Sequence, residues 1–319
     1  MTKKILALIA LSLVLVMALA SCGGTKFPMG TGGSGGTYYA FGGVISQYIS
    51  TATGANCYPV ATDGSKDNIE GIASGNYMLG TVQSDVMAYA WAGSKSFEAT
   101  GKINSFRVIG GLYAEAVQLI TVDPEIKSVS DLAGKKVSIG APNSGVYFNA
   151  IDVLAAAGLS EDDIIPQYQS FNDSADNLKD GKIDAAFVVA GAPTPAVVDL
   201  MANNAKARLV PIDGEISASI MASCPYYTEY KIPANTYNGQ TEDVTTITVK
   251  ATLIVSADLD EDTVYNITKA IFDNIDAIKA EHAKGYELSI KNATSGMTAP
   301  FHKGAARYFA EKNVTVPVE

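Results

Sequence analysis

The chain has 319 residues, and its 33 acidic against 23 basic residues give a formal charge of −10. This length is sufficient for two lobes that each bury a core. Because the sequence shows no basic stripe that would displace counterions from a phosphate backbone, we do not expect a nucleic-acid partner.

The N-terminus has the layout of a secretory signal peptide over residues 1–21. Two lysines precede an apolar run over residues 5–20, and a small serine stands directly before Cys22. We therefore expect cleavage at this point, lipidation of Cys22 and a flexible tether over residues 22–26. Loss of the two lysines would change the formal charge from −10 to −12. The alternative is an uncleaved anchor helix.

Short apolar strands alternate with amphipathic helices along the rest of the chain. Residues 78–82 and 136–139 are two such strands, and each precedes a helix. This alternation is typical of an α/β fold with parallel sheets covered by helices on both faces. In the first long helix, apolar residues recur at three- and four-residue spacing from Tyr38 to Ile49, which predicts one buried face.

The two halves of the chain contain a faint internal repeat. Residues 30–35 and 140–145 each place Ser-Gly at the same offset before a helix. Residues 65–69 and 174–178 each lead through a short helix and a glycine into an apolar strand. The repeat predicts two lobes of similar topology.

Two extended segments, residues 116–122 and 244–255, are predicted to connect the lobes, so that the chain crosses between them twice. We place the N-terminal part of the first lobe at residues 27–117 and the second lobe at residues 118–248. Residues 249–319 then form a return strand and the C-terminal part of the first lobe.

The glycine-rich segment from Gly30 to Gly43 holds seven glycines in fourteen positions and contains the pattern GxGxxG. A dinucleotide site is not supported, because no acidic residue follows before Asp63 to bind a ribose. A phosphate loop is not supported either, because no Gly-Lys-Ser/Thr follows. The glycines would let the backbone approach a ligand, and free N–H groups at the helix start attract an anion. A tight turn without a ligand is the alternative.

The second helix start, at residues 142–145, places Ser144 where it either caps the helix or donates to a ligand. In an open α/β fold both loops lie at the carboxyl ends of strands and face one another across a cleft. Facing helix starts favour a negatively charged ligand such as a carboxylate. Neutral hydrogen-bonding groups on one wall of the cleft would come from Thr37, Tyr38, Gln83 and Ser84.

The sequence supports neither a metal site nor a catalytic site. After Cys22 only Cys57 and Cys224 remain, far apart and without a metal-binding spacing, and we expect two free or buried thiols rather than a disulfide. The histidines, His282 and His302, lie outside any nucleophile motif. We therefore predict no cofactor and no enzyme, the alternative being an enzyme that uses only Asp, Lys or Tyr.

Five segments occur in order along the chain and together resemble the TRAP-associated extracytoplasmic immunogenic (TAXI) family of solute receptors. The resemblance covers residues 27–312. The segments are MGTGGSGGTYYAFGG, IASGNYMLGTVQSD, SVSDLAGKKVSIGAPNSG, SADLDEDTVYNITKA and APFHKGAARYF.

The resemblance implies a two-lobed type II periplasmic-binding-protein fold that closes on its ligand in an interlobe cleft. It also implies an extracytoplasmic, lipid-anchored receptor for a small carboxylate such as glutamate, glutamine or 2-oxoglutarate. The partner would be the integral membrane subunits of a tripartite ATP-independent (TRAP) transporter. An exported sensor domain is a further alternative. By motif position the ligand-binding residues would be Thr37, Tyr38, Gln83, Ser84, Ser144, Gly145, Gly191 and Ala192.

The chain departs from the family pattern where Ser-Gly is followed by Val146 and Tyr147 rather than by Thr and an acid. This change is expected to place an aromatic ring near the cleft and to alter specificity. Lys66 and Arg107 are the nearest candidates to pair with a ligand carboxylate, although such side chains are more often solvated. For His302 we expect packing of the last helix rather than binding.

Overall fold

The computed structural model describes residues 24–318. The predicted signal peptide and Cys22 lie outside these described residues. Within them, no helix has the length and apolarity that a membrane span requires.

Ten strands of the described chain belong to one twisted sheet. They are β1 Lys26–Gly30, β2 Asn56–Val60, β3 Leu79–Gln83, β4 Phe106–Thr121, β5 Lys136–Ser138, β6 Ile165–Gln167, β7 Ala185–Ala190, β8 Arg208–Val210, β9 Thr228–Ile232 and β10 Val244–Ser256.

Eleven α-helices cover this sheet within the described residues. They are α1 Thr37–Thr53, α2 Ser65–Ala73, α3 Ser84–Ala92, α4 Gly145–Ala156, α5 Phe171–Lys179, α6 Pro195–Asn203, α7 Gly214–Ser223, α8 Glu261–Phe272, α9 Ile275–Glu281, α10 Ile290–Thr294 and α11 Lys303–Glu311.

The sheet consists of two mainly parallel halves joined by the two longest strands, β4 and β10. The strand order is β2-β1-β3-β10-β4-β7-β5-β6, with β8 paired to β4 and β9 paired to β10. β4 and β10 run antiparallel to each other from the pair Ala116–Thr248 to the pair Phe106–Ser256. β10 pairs with β3 in the half of the sheet that contains β1 and β2, and β4 pairs with β7 in the half that contains β5 and β6. The two long strands therefore pass through both halves.

Separate hydrophobic cores define the two lobes. The first lobe has a single core in which α1 packs with the C-terminal helices α8 and α11, and Phe41, Ile267 and Phe309 are fully buried there. The second lobe has one core on each face of its sheet, around Leu154 and around Leu200. The predicted buried face of α1 is confirmed, because Tyr38, Phe41, Ile45 and Ile49 are all buried.

A helix follows each of the two glycine-containing segments, as predicted. α1 begins at Thr37, two residues after Gly35, whereas α4 begins at Gly145 itself. In the second pair, α2 begins at Ser65, whereas Ser174 lies inside α5, which begins at Phe171. The repeated segments therefore lead into helices that begin at different offsets.

The two cysteines of the described chain are free, as predicted, and the alternative of a disulfide is wrong. Cys57 lies in the core of the first lobe and Cys224 in a core of the second lobe. Burial raises the pKa of the Cys57 thiol to about 11, so this thiol stays protonated and unreactive near neutral pH.

Candidate functional site

A cleft with about 610 Å³ of empty space, including the part open to solvent, lies between the two lobes. Both lobes contribute to its wall. The lining residues are Gly32, Gly33, Gly36, Thr37, Tyr38, Thr62, Asp63, Gly64, Ser65, Glu115, Ala141, Ser144, Gly145, Val146, Gln169, Ser170, Phe171, Val189 and Ala190.

Four helices begin at this cleft. The first residues of α1 and α2 line it from the first lobe, and the first residues of α4 and α5 line it from the second lobe. The opening N–H groups of a helix have no partner within the helix, and the helix dipole adds a partial positive charge there. Both walls of the cleft therefore present the partial positive charge of helix starts, although no cationic side chain lines it.

The lobes touch each other around the cleft. The Thr37 hydroxyl donates a hydrogen bond of 2.6 Å to the Gly191 carbonyl, which belongs to the second lobe. The Ala196 N–H donates to the Gly35 carbonyl at 3.0 Å. These contacts join the start of α1 to the start of α6, so the structure shows the closed arrangement of the two lobes.

Gly145 has a steric role in this closure. A Cβ atom at position 145 would collide with the side-chain amide of Gln83, which approaches from the first lobe. Gln83 ends β3 and is only 2% exposed. A side chain at the start of α4 would therefore have to displace the end of the Gln83 side chain before the lobes could approach this closely.

The structure gathers most of the predicted site residues around the cleft. Thr37, Tyr38, Ser144 and Gly145 line it, while Gln83 lies behind Gly145 and Gly191 accepts the hydrogen bond from Thr37. The other two lie elsewhere. Ser84 uses its hydroxyl to accept the Lys250 N–H at 3.1 Å, and Ala192 is buried outside the lining.

Ser144 acts as a helix cap, which is one of the two roles considered for it. Its hydroxyl donates to the Ala141 carbonyl at 2.6 Å and accepts the Tyr147 N–H at 3.2 Å. The hydroxyl proton is thus used within its own loop. Ser144 therefore orients the N–H groups of α4 toward the cleft rather than donating its own proton to a ligand.

The predicted aromatic ring near the cleft is absent from its lining. Val146 lines the cleft, whereas the Tyr147 hydroxyl donates to Glu161 at 2.8 Å on the outer side of α4. Successive residues of a helix point about 100° apart, so only one of the two can face the cleft. The apolar Val146 side chain takes that position.

Neither cationic candidate reaches the cleft lining. Lys66 pairs with Glu70 at 3.7 Å, and Arg107 lies over the Trp91 ring at 5.5 Å. The two histidines are caps, since His282 accepts the Lys284 N–H and His302 accepts the Gly304 N–H, both at 3.1 Å through Nδ1.

Glu115 is the residue that the sequence did not reveal. It lies in the middle of β4, is 1% exposed and lines the cleft. Its Oε2 atom has no hydrogen-bond partner within the described chain. Burial raises the pKa of the Glu115 carboxyl to about 8, although the neighbouring Tyr38 and Gln83 oppose this shift. The signal in the sequence was a single acid inside the apolar run of β4.

Tyr38 and Gln83 also have polar atoms without partners in the described structure. The Tyr38 hydroxyl and the Gln83 Oε1 atom are both buried and unpaired, next to Glu115, and the Oε1 atom of Gln169 in the lining is unpaired as well. Nearly all buried polar groups in proteins are hydrogen-bonded, so four unpaired atoms in and directly behind the lining of one cleft indicate a ligand-binding surface. Among residues 24–318, no three His, Cys, Asp or Glu side chains are grouped so that they could hold a metal ion.

Comparison with solved structures identifies the fold. A Bordetella bronchiseptica RB50 protein superposes with a TM-score of 0.55 at 16% identity, covering 90% of this chain and 89% of that chain. A Listeria monocytogenes protein, provisionally named as an L-cystine ABC transporter, gives 0.50 at 17%, with coverage of 83% and 98%. An ancestral arginine-binding protein bound to arginine gives 0.50 at 15%, with coverage of 82% and 96%.

At this identity the similarity concerns the fold alone, and that fold is the type II periplasmic-binding-protein fold, as the resemblance implied. The sequence comparison extends to the family. A family model described as the NMT1-like family matches residues 29–312, which is nearly the whole described chain. The chain therefore belongs to the NMT1-like family, a family of periplasmic solute-binding proteins.

Proposed function

We propose that this protein is the extracytoplasmic receptor of a TRAP transporter of the TAXI type, anchored to the membrane by a lipid on Cys22. It captures a small carboxylate in the cleft and delivers it to the integral membrane subunits. The observation that carries the proposal is the convergence of four helix starts, two from each lobe, on one closed cleft.

The geometry supports an anionic group on the ligand. Helix N-termini stabilise a negative charge by ~0.3–1 kcal/mol each, and more when partly buried. Because the four helix starts come from both lobes, a carboxylate between them stabilises the closed arrangement over the open one. Ligand binding is then coupled to lobe closure, which is what a transport receptor presents to its membrane partner.

The partner is proposed from the sequence segments that resemble the TAXI family. An ABC-type partner is the second candidate, because the Listeria monocytogenes neighbour is named for an L-cystine ABC transporter. The two candidates differ in their energy source. Reconstituted uptake that follows an ion gradient without ATP supports the TRAP partner, and uptake that requires ATP hydrolysis supports the ABC partner.

Thermal unfolding of the mature protein tests the ligand class. The protein is refolded to remove bound ligand and then titrated with amino acids, dicarboxylates and keto acids. We expect at least one carboxylate to raise the midpoint saturably, by an amount that corresponds to ~2.7 kcal/mol at a hundredfold excess over Kd. If only neutral or apolar solutes raise the midpoint, the proposed carboxylate ligand is wrong.

A further inference from the structure

We infer that Glu115 determines the specificity of the cleft by accepting the ammonium group of an α-amino acid whose carboxylate lies at the helix starts. The inference rests on the proposed function and narrows it, because keto acids and simple dicarboxylates would then be poor ligands.

Buried oxygens of the cleft lining lack a hydrogen-bond partner. Glu115 Oε2 and Gln169 Oε1 both belong to the lining and have no donor in the described structure. An ammonium group brings three N–H donors and pairs with the ionised Glu115 carboxylate. A keto oxygen or a second carboxylate brings no donor, so it could pair only with the protonated Glu115 carboxyl. The Tyr38 hydroxyl beside Glu115 can accept a further N–H or donate to the ligand carboxylate.

The lining of the cleft contains few charged side chains. The lining contains two acids, Glu115 and Asp63, and no Lys, Arg or His. Asp63 is exposed at the edge, whereas Glu115 is fully enclosed. The positive character of the cleft therefore comes from helix starts, and the enclosed group of the lining that becomes negative when it loses its proton is Glu115. A zwitterion matches this arrangement, because it places one charge of each sign opposite its complement.

The neighbours of Glu115 determine whether its carboxyl carries a proton. Four charged or titratable groups act on this carboxyl: Tyr38, Tyr113, Asp85 and Lys284. Burial and, to a lesser extent, Asp85 raise the pKa of Glu115 to about 8, whereas Tyr38 and Lys284 act to lower it. Glu115 is therefore largely protonated at pH 7. An adjacent ammonium group lowers this pKa. Binding of an amino acid at pH 7 would therefore release the Glu115 proton to solvent, whereas a keto acid would leave it bound.

The experiment compares each of the twenty standard amino acids with its 2-oxo acid by thermal unfolding of the mature protein, followed by calorimetry on every binder. We expect at least one amino acid to bind at least tenfold more tightly than its 2-oxo acid. Calorimetry at pH 7 in two buffers of different ionisation enthalpy should show release of close to one proton. Affinity for the amino acid should rise from pH 6 to pH 8.

Variants separate Glu115 from the rest of the cleft. Glu115→Gln keeps the size of the side chain but loses its charge, and we expect it to bind the amino acid about 10- to 100-fold more weakly and to abolish proton release. The matched control is Glu125→Gln at an exposed position, which should bind as the wild type does. The wild-type proton count remains decisive if Glu115→Gln does not fold.

Three results would overturn the inference. The first is a 2-oxo acid or dicarboxylate that binds as tightly as the best amino acid, and the second is amino-acid binding without proton release. Both leave the carboxylate receptor intact and reject only the role of Glu115. If no carboxylate of any kind binds, the proposed function itself fails and the role of Glu115 fails with it.

Discussion

Asn149 donates a hydrogen bond of 2.9 Å to the buried carboxylate of Asp85 and thereby joins the two lobes beside the cleft. Asp85 lies in the first turn of α3, and Asn149 lies on α4. Further hydrogen bonds hold Asn149 within the second lobe. Its amide also donates to the Tyr227 hydroxyl at 2.6 Å, and that hydroxyl donates to Asp152 at 3.0 Å. Of these bonds only Asp85–Asn149 crosses between the lobes, so it is the one that opening of the lobes would break.

Asn149→Ala should weaken ligand binding more than it weakens folding. The variant leaves the Asp85 carboxylate buried without its partner in the closed form, at a cost of about 1.5–3 kcal/mol, whereas the open form exposes that group to water. We expect the Kd to rise more than tenfold with little change in the ligand-free melting temperature. Calorimetry and thermal unfolding provide the two measurements.

The control for this variant is Lys95→Ala, which removes the Lys95–Asp152 ion pair between the same lobes at 3.2 Å. This pair is partly exposed, so its loss should cost ~0–1 kcal/mol and change the Kd less than about fivefold. If the two variants weaken binding equally, the Asp85–Asn149 bond is not the contact that holds the lobes closed.

Asp85 should also make the folded protein more stable at mildly acidic pH. Burial raises the pKa of Asp85 to about 6, so its ionised form is disfavoured in the fold above this pH. The penalty is fully present above the folded pKa and is relieved as the pH falls toward the ordinary value near 3.9. Relative to Asp85→Asn, the wild-type free energy of unfolding should gain about 2 kcal/mol between pH 7 and pH 4.5.

Urea unfolding at several pH values measures this difference. Glu115 also contributes to the pH dependence in this range, but both proteins contain it, so its contribution largely cancels in the comparison. Parallel pH profiles for the wild type and Asp85→Asn would show that Asp85 does not titrate with a raised pKa.

The fold was predictable from the sequence because its signals are local and repeated. The apolar spacing of α1 and the segments that resemble the TAXI family gave the correct architecture. The cleft was predictable only in part. Ser84 follows Gln83 directly, but the turn from β3 into α3 directs its hydroxyl to the backbone of Lys250. The partner of the Ser84 hydroxyl depends on which strand lies alongside β3, and one sequence does not contain that information.

Glu115 was missed for a related reason. Its neighbours marked the segment as a connector between lobes, and a connector has no assigned inner face until its strand partners are known. The pairing of β4 with both β10 and β7 places Glu115 between the lobes. A single acid in a long apolar strand is the pattern that would have identified it.

Gly145→Ala should prevent full closure of the lobes. The added methyl group collides with the Gln83 side chain in the closed form but not when the lobes separate. We expect the Kd for the ligand to rise at least tenfold, and we expect the ligand-induced decrease in radius of gyration, measured by X-ray scattering, to be lost. Gly43→Ala is the control, because no atom lies within 4 Å of the added Cβ and the change should favour α1 by about 0.5–1 kcal/mol. Wild-type compaction in Gly145→Ala would show that Gln83 moves aside.

Thr37→Val tests whether the α1 start is fastened to the second lobe. The substitution keeps the shape of the side chain but removes the donor to the Gly191 carbonyl. That carbonyl still accepts the Thr194 hydroxyl at 3.0 Å, so it is not left unpaired and the loss should be limited to ~1 kcal/mol, or about fivefold in Kd. Thr37→Ser keeps the hydroxyl and should bind within about twofold of the wild type. Equal weakening in both variants would mean that the methyl group, which packs near Gly191, contributes as much to closure as the hydrogen bond does.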